Sequence, residues 1–323
     1  MGEYSIGIDL GGTKILTAIV DKETGEIVSS IKKKTKKDKG EEKIINKIIK
    51  SIKEVIDSAK INIEEIDMIG LGAAGQIDRE NGIIINAPNL NISNIKIKKI
   101  LEQEFKKEVY IGNDVEIATI GEMYFGAGKN EENFVCIFVG TGIGSGIVEK
   151  RQIRYGATGT AGEIGHIIVD IGGRACGCGG CGCLEAYASR LAIEKRIIGA
   201  LKKGRKSDIE NYIVEEKPIK TSMIKKALEN KDELITQIMN EAAEYLASGL
   251  ASVINFYNPS KIILGGGVIN SIDSFYQNAI QIAKTKALPT PSISTKFEKA
   301  KLGDFSGVIG ASLLKDYRNK QNV

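Results

Sequence analysis

Apolar and polar positions along this chain follow two different periods, and segments of the two kinds alternate. Short apolar runs bounded by turn residues predict strands, whereas apolar residues at three- and four-residue spacing predict helices. The clearest helix signal covers residues 41–60. The other predicted helices are 115–125, 234–257 and 307–317, and the predicted strands are 4–9, 16–20, 26–32, 67–71, 109–112, 134–139, 146–149 and 261–264. Alternation of this kind is typical of an α/β protein with mixed β-sheets.

The length of the chain and a restart of its pattern indicate two domains. A chain of 323 residues with 42% hydrophobic content normally divides in two. The strand–turn–strand pattern of the first residues begins again at about residue 134. We therefore place a small first lobe at residues 1–117, with about 304–323 packing back onto it, and a larger second lobe at residues 118–303.

Three glycine-rich turns follow predicted strands. Two of them, at residues 11–13 and 140–142, are candidates for phosphate binding, and the third, at residues 265–267, is a candidate to flank the adenosine. Turns of this kind expose main-chain N–H groups to an anion, and a threonine hydroxyl adds a further donor. One such turn alone is weak evidence, but a matched turn in each half predicts a bound nucleotide such as ATP, with Mg²⁺ held through water by the first aspartate. None ends in the Gly-Lys-Ser/Thr of a Walker loop. The candidate nucleotide-binding residues are Asp9, Gly11, Gly12, Thr13, Lys14, Gly140, Thr141, Gly142, Gly265, Gly266 and Gly267.

An aspartate at a strand-to-helix junction, Asp114, is the candidate catalytic group. Phosphoryl transfer to an alcohol needs a base that accepts the hydroxyl proton, and ligands of α/β proteins bind where strands end. The alternative is that Asn113 or Asp114 simply caps the following helix, and the residues alone leave the two open. Glu163, Glu185 and Asn113 add acceptors and donors that suit a polyol such as a sugar.

Four of the five cysteines lie within residues 176–183, and the only histidine, His166, lies ten residues before them. Thiolates and an imidazole at this density fit a tetrahedral zinc site formed by the histidine and three of the four cysteines. A redox-active or merely buried cluster is the alternative, although a Cys-x-Cys disulfide would be strained. Four protein ligands leave no open position, so we expect a structural metal that orients Glu163, His166 and Glu185.

Taken together, these motifs resemble those of the ROK sugar kinase family, within the actin-like ATPase superfamily, over nearly the whole chain. The most specific match is Cys-x-Cys-Gly-x-x-Gly-Cys-x-Glu at residues 176–185. The resemblance implies a two-lobed actin-like ATPase (ribonuclease H-like) fold with a zinc-binding loop, and it implies Asp114 as the general base. It assigns zinc to His166, Cys176, Cys178 and Cys183, and sugar contacts to Asn89, Asn113, Asp114, Glu163, His166 and Glu185. Family members often have Asn where this chain has Glu116.

The implied function is ATP-dependent phosphorylation of glucose at the 6-hydroxyl, with Mg²⁺ as cofactor and zinc outside the chemistry. A kinase for N-acetylmannosamine, fructose or allose would share these motifs, and polyphosphate is an alternative donor. A non-catalytic sugar sensor and a transcriptional regulator are further alternatives. Regulators of the family carry a helix-turn-helix before the first glycine turn, and only eight residues precede Asp9. The resemblance also implies a homodimer or homotetramer.

Composition and charge bear on the partners and the cellular compartment expected for the protein. The net charge of +4 comes from 45 basic and 41 acidic residues, a balance that does not predict a nucleic-acid surface. The basic run 31–39 is interpreted as a solvated loop. No leader peptide is visible, and no apolar stretch approaches the roughly 20 residues of a membrane-spanning helix. Thiolate ligands need a reducing compartment, so we expect a cytoplasmic protein.

Overall fold

A computed structural model of the chain describes residues 3–35, 40–210 and 218–321. Residues 36–39 of the basic run lie outside the described residues. The strands are β1 (Tyr4–Leu10), β2 (Lys14–Asp21), β3 (Ile27–Lys34), β4 (Ile66–Ala73), β5 (Gln76–Asp78), β6 (Ile83–Ala87), β7 (Ile92–Ile95), β8 (Glu108–Asn113), β9 (Phe134–Val139), β10 (Ile143–Glu149), β11 (Gln152–Ile153), β12 (Lys261–Gly265) and β13 (Lys296–Lys299). The α-helices are α1 (Glu41–Ala59), α2 (Ile97–Phe105), α3 (Asp114–Tyr124), α4 (Glu185–Ala188), α5 (Arg190–Lys202), α6 (Thr221–Glu229), α7 (Glu233–Tyr257), α8 (Gly267–Ser271), α9 (Asp273–Lys286), α10 (Pro289–Ser294), α11 (Ser306–Ser312) and α12 (Leu314–Gln321). The predicted mixed α/β architecture is confirmed.

The chain forms two compact units. The first contains Met1–Asn130 and Lys301–Val323, and the second contains Glu131–Ala300. Each unit has its own five-stranded sheet and its own hydrophobic core. The lobe boundaries expected from the sequence, after residue 117 and near residue 304, stay a prediction.

The first unit is built on a sheet in the order β3-β2-β1-β4-β8. Strands β1 to β3 form antiparallel pairs, whereas β1, β4 and β8 run parallel. In the parallel part, Asp9 lies beside Gly72, and Ala73 lies beside Asn113. The carboxyl ends of the three parallel strands therefore meet at one edge, where open α/β sheets bind their ligands.

The C-terminal helix α11 lies against this sheet at unusually short range. A Cβ atom added to Gly7 on β1 would lie 1.8 Å from the carbonyl oxygen of Val308, and one added to Gly70 on β4 would lie 1.8 Å from that of Ala311. Only residues without a side chain allow the helix backbone this close to the strands.

The helix predicted at 307–317 consists of two helices, α11 and α12, so this prediction was wrong in detail. The break falls at Leu313, whose N–H donates to the carbonyl of Gly310, only three residues earlier. A tightened turn of this kind is common at the end of a helix. The side chains of Leu313 and Leu314 are both buried, so apolar packing stabilises the junction between the two helices.

One buried carboxylate, that of Glu122 on α3, ties several segments of the first unit together. It accepts hydrogen bonds from the main-chain N–H groups of Ala127 at 2.8 Å and Leu302 at 3.0 Å, and from the Ser306 hydroxyl at 2.9 Å. A fully buried carboxylate needs several donors to offset its desolvation, and these supply them.

A small antiparallel sheet in the order β5-β6-β7 follows β4 in the chain, and α2 comes directly after it. The sequence analysis did not predict these four elements. In β6 the burial pattern along Ile83–Ala87 is not a strict alternation, so the two-residue period that identifies strands is weak here.

The second unit is built on a sheet in the order β11-β10-β9-β12-β13. Strands β9 and β10 form an antiparallel hairpin, whereas β9, β12 and β13 are parallel. The 25-residue helix α7 supplies much of the core, with buried side chains from Leu234 to Ile254. Among the residues that the structure describes, no helix combines the length and the apolar character needed to span a bilayer.

Candidate functional site

Asp114 is the first residue of α3, at the edge where the parallel strands of the first unit end. The helix is capped by its neighbour Asn113, whose side-chain oxygen accepts the N–H of Val115 at 2.9 Å. The carboxylate of Glu116 reaches back to the N–H of Asn113 at 3.1 Å and completes a capping box. Asp114 also accepts the N–H of Val115, at 3.0 Å. Asn113 and Glu116 thus complete the capping box, and Asp114 shares the N–H of Val115 with Asn113.

Asp9, at the end of β1, has a strongly perturbed carboxyl group. Its pKa is raised from 3.8 to about 6, mainly by burial and then by the negative charge of Asp114. Lys14 opposes the rise, while Asp304 adds to it. A carboxyl kept near another carboxyl in a partly desolvated place is typical of a functional site, and a bound cation would offset the repulsion.

The first glycine turn is held in a fixed shape by hydrogen bonds. The N–H of Gly11 donates to the carbonyl of Lys14 at 2.9 Å, and the Thr35 hydroxyl donates to the carbonyl of Gly11 at 2.9 Å. The Lys14 ammonium lies 3.0 Å from the carboxylate of Asp304. Thr13 is exposed at the tip of the turn. The remaining predicted residue of this unit, Asn89, is also close, because a Cβ added to Gly12 would lie 3.2 Å from the Cβ of Asn89.

In the second unit, the turn at residues 140–142 joins β9 to β10 and lies against Glu185. The carboxylate of Glu185 accepts the main-chain N–H of Ile143 at 2.9 Å. A Cβ added to Gly142 would lie 2.2 Å from the same carboxylate, so a residue with a side chain would displace it. Gly140 completes the turn, since its N–H donates to the carbonyl of Gly142 at 2.9 Å.

The third glycine turn, at residues 265–267, lies beside the second. Strand β12 runs parallel to β9, with Gly265 paired to Phe138, so the two turns follow neighbouring strand ends. Gly266 has φ +94°, and an added Cβ would lie 2.4 Å from the carbonyl oxygen of Val139. Helix α8 begins at Gly267.

The structure brings together the four side chains that the resemblance assigned to zinc: His166, Cys176, Cys178 and Cys183, whose ligand atoms all lie within 4.8 Å of one another. The Cys178 and Cys183 sulfurs are 3.7 Å apart, as are the Cys176 sulfur and Nδ1 of His166. Zn–S bonds of about 2.3 Å in a tetrahedron place sulfurs about 3.8 Å apart, so the cluster fits zinc. Cys181 is exposed and is not part of this group.

The protonation of the thiols is uneven without a metal. Donation from the N–H of Gly180 lowers the pKa of Cys178 to about 7, whereas burial raises the pKa of Cys183 to about 12. A thiol with so high a pKa becomes a thiolate only when a cation replaces its proton.

The orientation of His166 leaves its second ring nitrogen available to other groups. Nδ1 faces Cys176, and Nε2 lies 4.0 Å from the carboxylate of Glu163, which is 62% exposed. When one nitrogen of an imidazole is used by a metal, the other carries the proton and acts as a donor. His166 can therefore belong to the metal cluster and still donate towards a ligand beside Glu163.

A second cluster of side chains holds the loop that carries the cysteines. The buried Tyr187 donates from its hydroxyl to Asp170 at 2.6 Å and accepts the main-chain N–H of Arg174 at 2.6 Å. The Arg174 guanidinium lies over the Tyr187 ring, 4.4 Å from its centre, and pairs with Glu241 on α7. This cluster supports the loop from the side of α4 and α7.

The residues predicted from the sequence thus divide between the two compact units. The first unit carries Asp9, Gly11, Gly12, Thr13, Lys14, Asn89, Asn113 and Asp114; the second carries Gly140, Thr141, Gly142, Glu163, His166, Glu185, Gly265, Gly266, Gly267 and the cysteines. The sequence analysis overlooked the structural part of Glu116, although Asn113 followed three residues later by Glu116 has the spacing of a capping box. It also overlooked Arg79, whose Nε donates to the Glu116 carboxylate at 2.7 Å and for which the sequence holds no comparable signal.

The ROK family matches residues 5–317. The chain therefore belongs to the ROK family, as the motifs predicted, and the actin-like ATPase fold that the resemblance implied is confirmed.

Proteins similar to this chain include both enzymes and transcriptional regulators. The chain is 34% identical over 312 residues to a glucokinase of Halalkalibacterium halodurans, covering 96% of this chain and 94% of that protein. It is 30% identical over 308 residues to a xylose repressor of Caldicellulosiruptor bescii, covering 94% of this chain and 76% of the repressor. Among solved structures it is similar to a ROK glucokinase of Streptomyces griseus in complex with glucose and AMPPNP, with a TM-score of 0.83, 30% identity and coverage of 97% and 99%.

Proposed function

We propose that this protein is an ATP-dependent sugar kinase that phosphorylates glucose at its 6-hydroxyl, with Asp114 as the general base. The observation that carries the proposal is the placement of Asp114 at the carboxyl edge of the parallel strands, on a helix whose cap is supplied by its neighbours Asn113 and Glu116. A carboxylate so placed suits proton transfer. The similarity to a glucokinase solved with glucose and AMPPNP supports the choice of substrates.

In this proposal the chemistry is a single displacement. The Asp114 carboxylate accepts the proton of the sugar 6-hydroxyl while the hydroxyl oxygen attacks the γ-phosphorus of ATP. The O–P bond to the sugar forms as the bond between the γ-phosphorus and the bridging oxygen breaks, and ADP leaves with the electron pair. The proton remains on Asp114 until product release.

The remaining residues bind and orient the substrates. The turns at residues 11–13 and 140–142 are assigned to the phosphates, through main-chain N–H groups other than those of Gly11 and Gly140, which donate within their own turns. The turn at 265–267 is assigned to the adenosine. Asp9 is assigned to Mg²⁺, which would neutralise charge on the phosphates. Asn89, Asn113, Glu163, His166 and Glu185 are assigned to the sugar hydroxyls, together with Asp114.

Zinc is assigned a structural part in this proposal. His166, Cys176, Cys178 and Cys183 would fill its four positions, so no water would be activated by the ion. The bound ion would supply a fixed cross-link between the cysteine loop and the segment that carries Glu163. Glu185, two residues after Cys183, would be held in place by the same cross-link.

The test is an ADP-release assay with purified protein and a panel of hexoses. We expect ATP-dependent turnover with glucose, at a higher kcat/KM than with N-acetylmannosamine, fructose or allose. A preference for another hexose would keep the kinase and replace the substrate. Release of ADP with none of these sugars, while a sugar still binds, would contradict the proposal.

A second function, sugar-responsive transcriptional regulation, is favoured by the 30% identity to a xylose repressor. Measuring sugar binding, ADP release and DNA affinity on the same protein distinguishes a regulator from a kinase. A regulator would bind sugar without releasing ADP and would change its affinity for DNA when sugar is added. The proposed kinase would release ADP and show no sugar-dependent change in DNA binding.

We further propose that the protein is cytoplasmic and forms a homodimer or homotetramer.

A further inference from the structure

An ion pair between the partly exposed Arg79 and the buried Glu116 lies at the first turn of the helix that carries Asp114. The carboxylate of Glu116 is 4% exposed, and the Nε of Arg79 donates to it at 2.7 Å. The same carboxylate oxygen accepts the N–H of Asn113 at 3.1 Å. One oxygen thus joins a guanidinium on one side to the residue before the candidate base on the other.

Arg79 is itself held by two other parts of the first unit. It comes directly after β5, and its main-chain carbonyl accepts a hydrogen bond from Arg318 on α12 at 3.2 Å. The guanidinium of Arg318 also donates to the carbonyl of Ile111 on β8. The Asn113 side chain adds a further link, because its amide donates to the carbonyl of Gly75 at 3.1 Å.

We propose that Arg79 and Glu116 are positioning residues for Asp114. Arg79 holds the Glu116 carboxylate under the N–H of Asn113, and the resulting turn fixes the direction of the Asp114 side chain. The inference rests on the proposed function, since it assigns a purpose to the geometry of the base. Neither residue touches the reacting atoms in this account.

The physical reason is that a carboxylate at this depth is stable only with its partner. Without the guanidinium, the buried Glu116 carboxylate would lose the charge-assisted bond that offsets its desolvation, and rotation towards water would relieve this cost. That rotation would break the bond to Asn113 N–H and loosen the first turn of α3. Proton transfer needs the base within hydrogen-bond reach of the hydroxyl, and a displacement of about 1 Å can cost a factor of about 10².

The experiment compares Arg79→Met, Glu116→Gln and the double variant with the wild type. Arg79→Met should lower kcat for glucose about tenfold while KM changes less than about threefold, because the proposed sugar contacts of Asn89, Glu163, His166 and Glu185 do not depend on this turn. The double variant should recover most of the lost kcat, since glutamine still accepts the Asn113 N–H in a capping box and leaves no unpaired charge. Lys33→Met is the matched control, because it removes the Lys33–Glu54 ion pair of the same unit outside the site.

Amide hydrogen exchange of the peptide spanning residues 108–124 provides a readout that does not depend on turnover. Exchange at the start of α3 should be faster in Arg79→Met and return towards the wild-type rate in the double variant. An unchanged kcat together with unchanged exchange in Arg79→Met would overturn the inference. If the Arg79–Glu116 pair served only stability, Arg79→Met would lower the melting temperature without the selective fall in kcat, and the inference would be wrong. If the wild type phosphorylates no sugar, the proposed function fails, and exchange alone decides whether the pair holds the turn.

Discussion

The Glu185 carboxylate accepts the main-chain N–H of Ile143 at 2.9 Å, so the end of the cysteine signature is bonded directly to the end of the second glycine turn. The relationship joins two motifs that are more than 40 residues apart in sequence. Under the proposed function, this one local geometry would set both the sugar contact of Glu185 and the phosphate contacts of the turn. The glycine that makes this possible is Gly142, which leaves room for the carboxylate.

The first prediction follows from that contact. Gly142→Ala should lower kcat/KM for glucose by a factor of about 10–100, because its Cβ would occupy a position 2.2 Å from the Glu185 oxygen. Steady-state kinetics of the purified variant measures the loss. Gly199→Ala on α5 is the control, since an added Cβ there meets nothing within 4 Å, and it should keep full activity. Equal kcat/KM values for the two variants would contradict the claim that activity depends on the position of the Glu185 carboxylate.

The second prediction concerns the metal. Cys183→Ser should abolish stoichiometric zinc, whereas Cys181→Ser should retain about one zinc per chain. The reason is that Cys183 is one of the four clustered ligands and Cys181 is not. Elemental analysis of the purified proteins measures this directly. We also expect the chelated wild type to lose activity, since the loop before Glu185 would be released. Equal zinc content in the two serine variants would refute the ligand assignment.

The third prediction concerns Asp9 and pH. A carboxyl whose pKa is raised from 3.8 to about 6 favours the folded state fully below pH 3.8, and that contribution is lost as the pH rises through about 6. At pH 7 the folded protein therefore carries an unfavourable charge at this position. Asp9→Asn should stabilise the ligand-free protein by about 1–2 kcal/mol at pH 7, and the difference should shrink towards pH 4.

Thermal unfolding of the wild type and of Asp9→Asn at several pH values tests this sign. The same variant should bind Mg-nucleotide more weakly, because the proposed contact to the cation is lost. Wild-type stability at pH 7 equal to or above that of Asp9→Asn would contradict the raised pKa.

Much of the fold followed from periodicity, and the exceptions have physical causes. The β1–β2 and β9–β10 hairpins were predictable because apolar strands flank turns with glycine. The strand β13 (Lys296–Lys299) was not, since three of its four residues are charged and it is stabilised by pairing with β12. Tertiary pairing of this kind overrides local propensity.

The candidate site shows the same division. Its candidate glycines, acids and cysteines were named from residue type and spacing, and their roles in binding and catalysis stay predictions. The supports of the site were not named, because Arg79 reaches Glu116 across 37 positions and Tyr187 reaches Asp170 across 17. Contacts at such separations depend on how strands and loops are arranged, which no local pattern encodes. The capping box of Asn113 and Glu116 was the one support with a local signature.

The claim on which the account depends is that the side chain at position 114 removes the proton from the sugar hydroxyl. The most direct measurement is single-turnover phosphoryl transfer by Asp114→Asn, with glucose affinity determined by calorimetry on the same sample. We predict a Kd for glucose within about threefold of the wild type and a rate lower by a factor of about 10²–10⁴. A rate equal to that of the wild type, with glucose still bound, would contradict it.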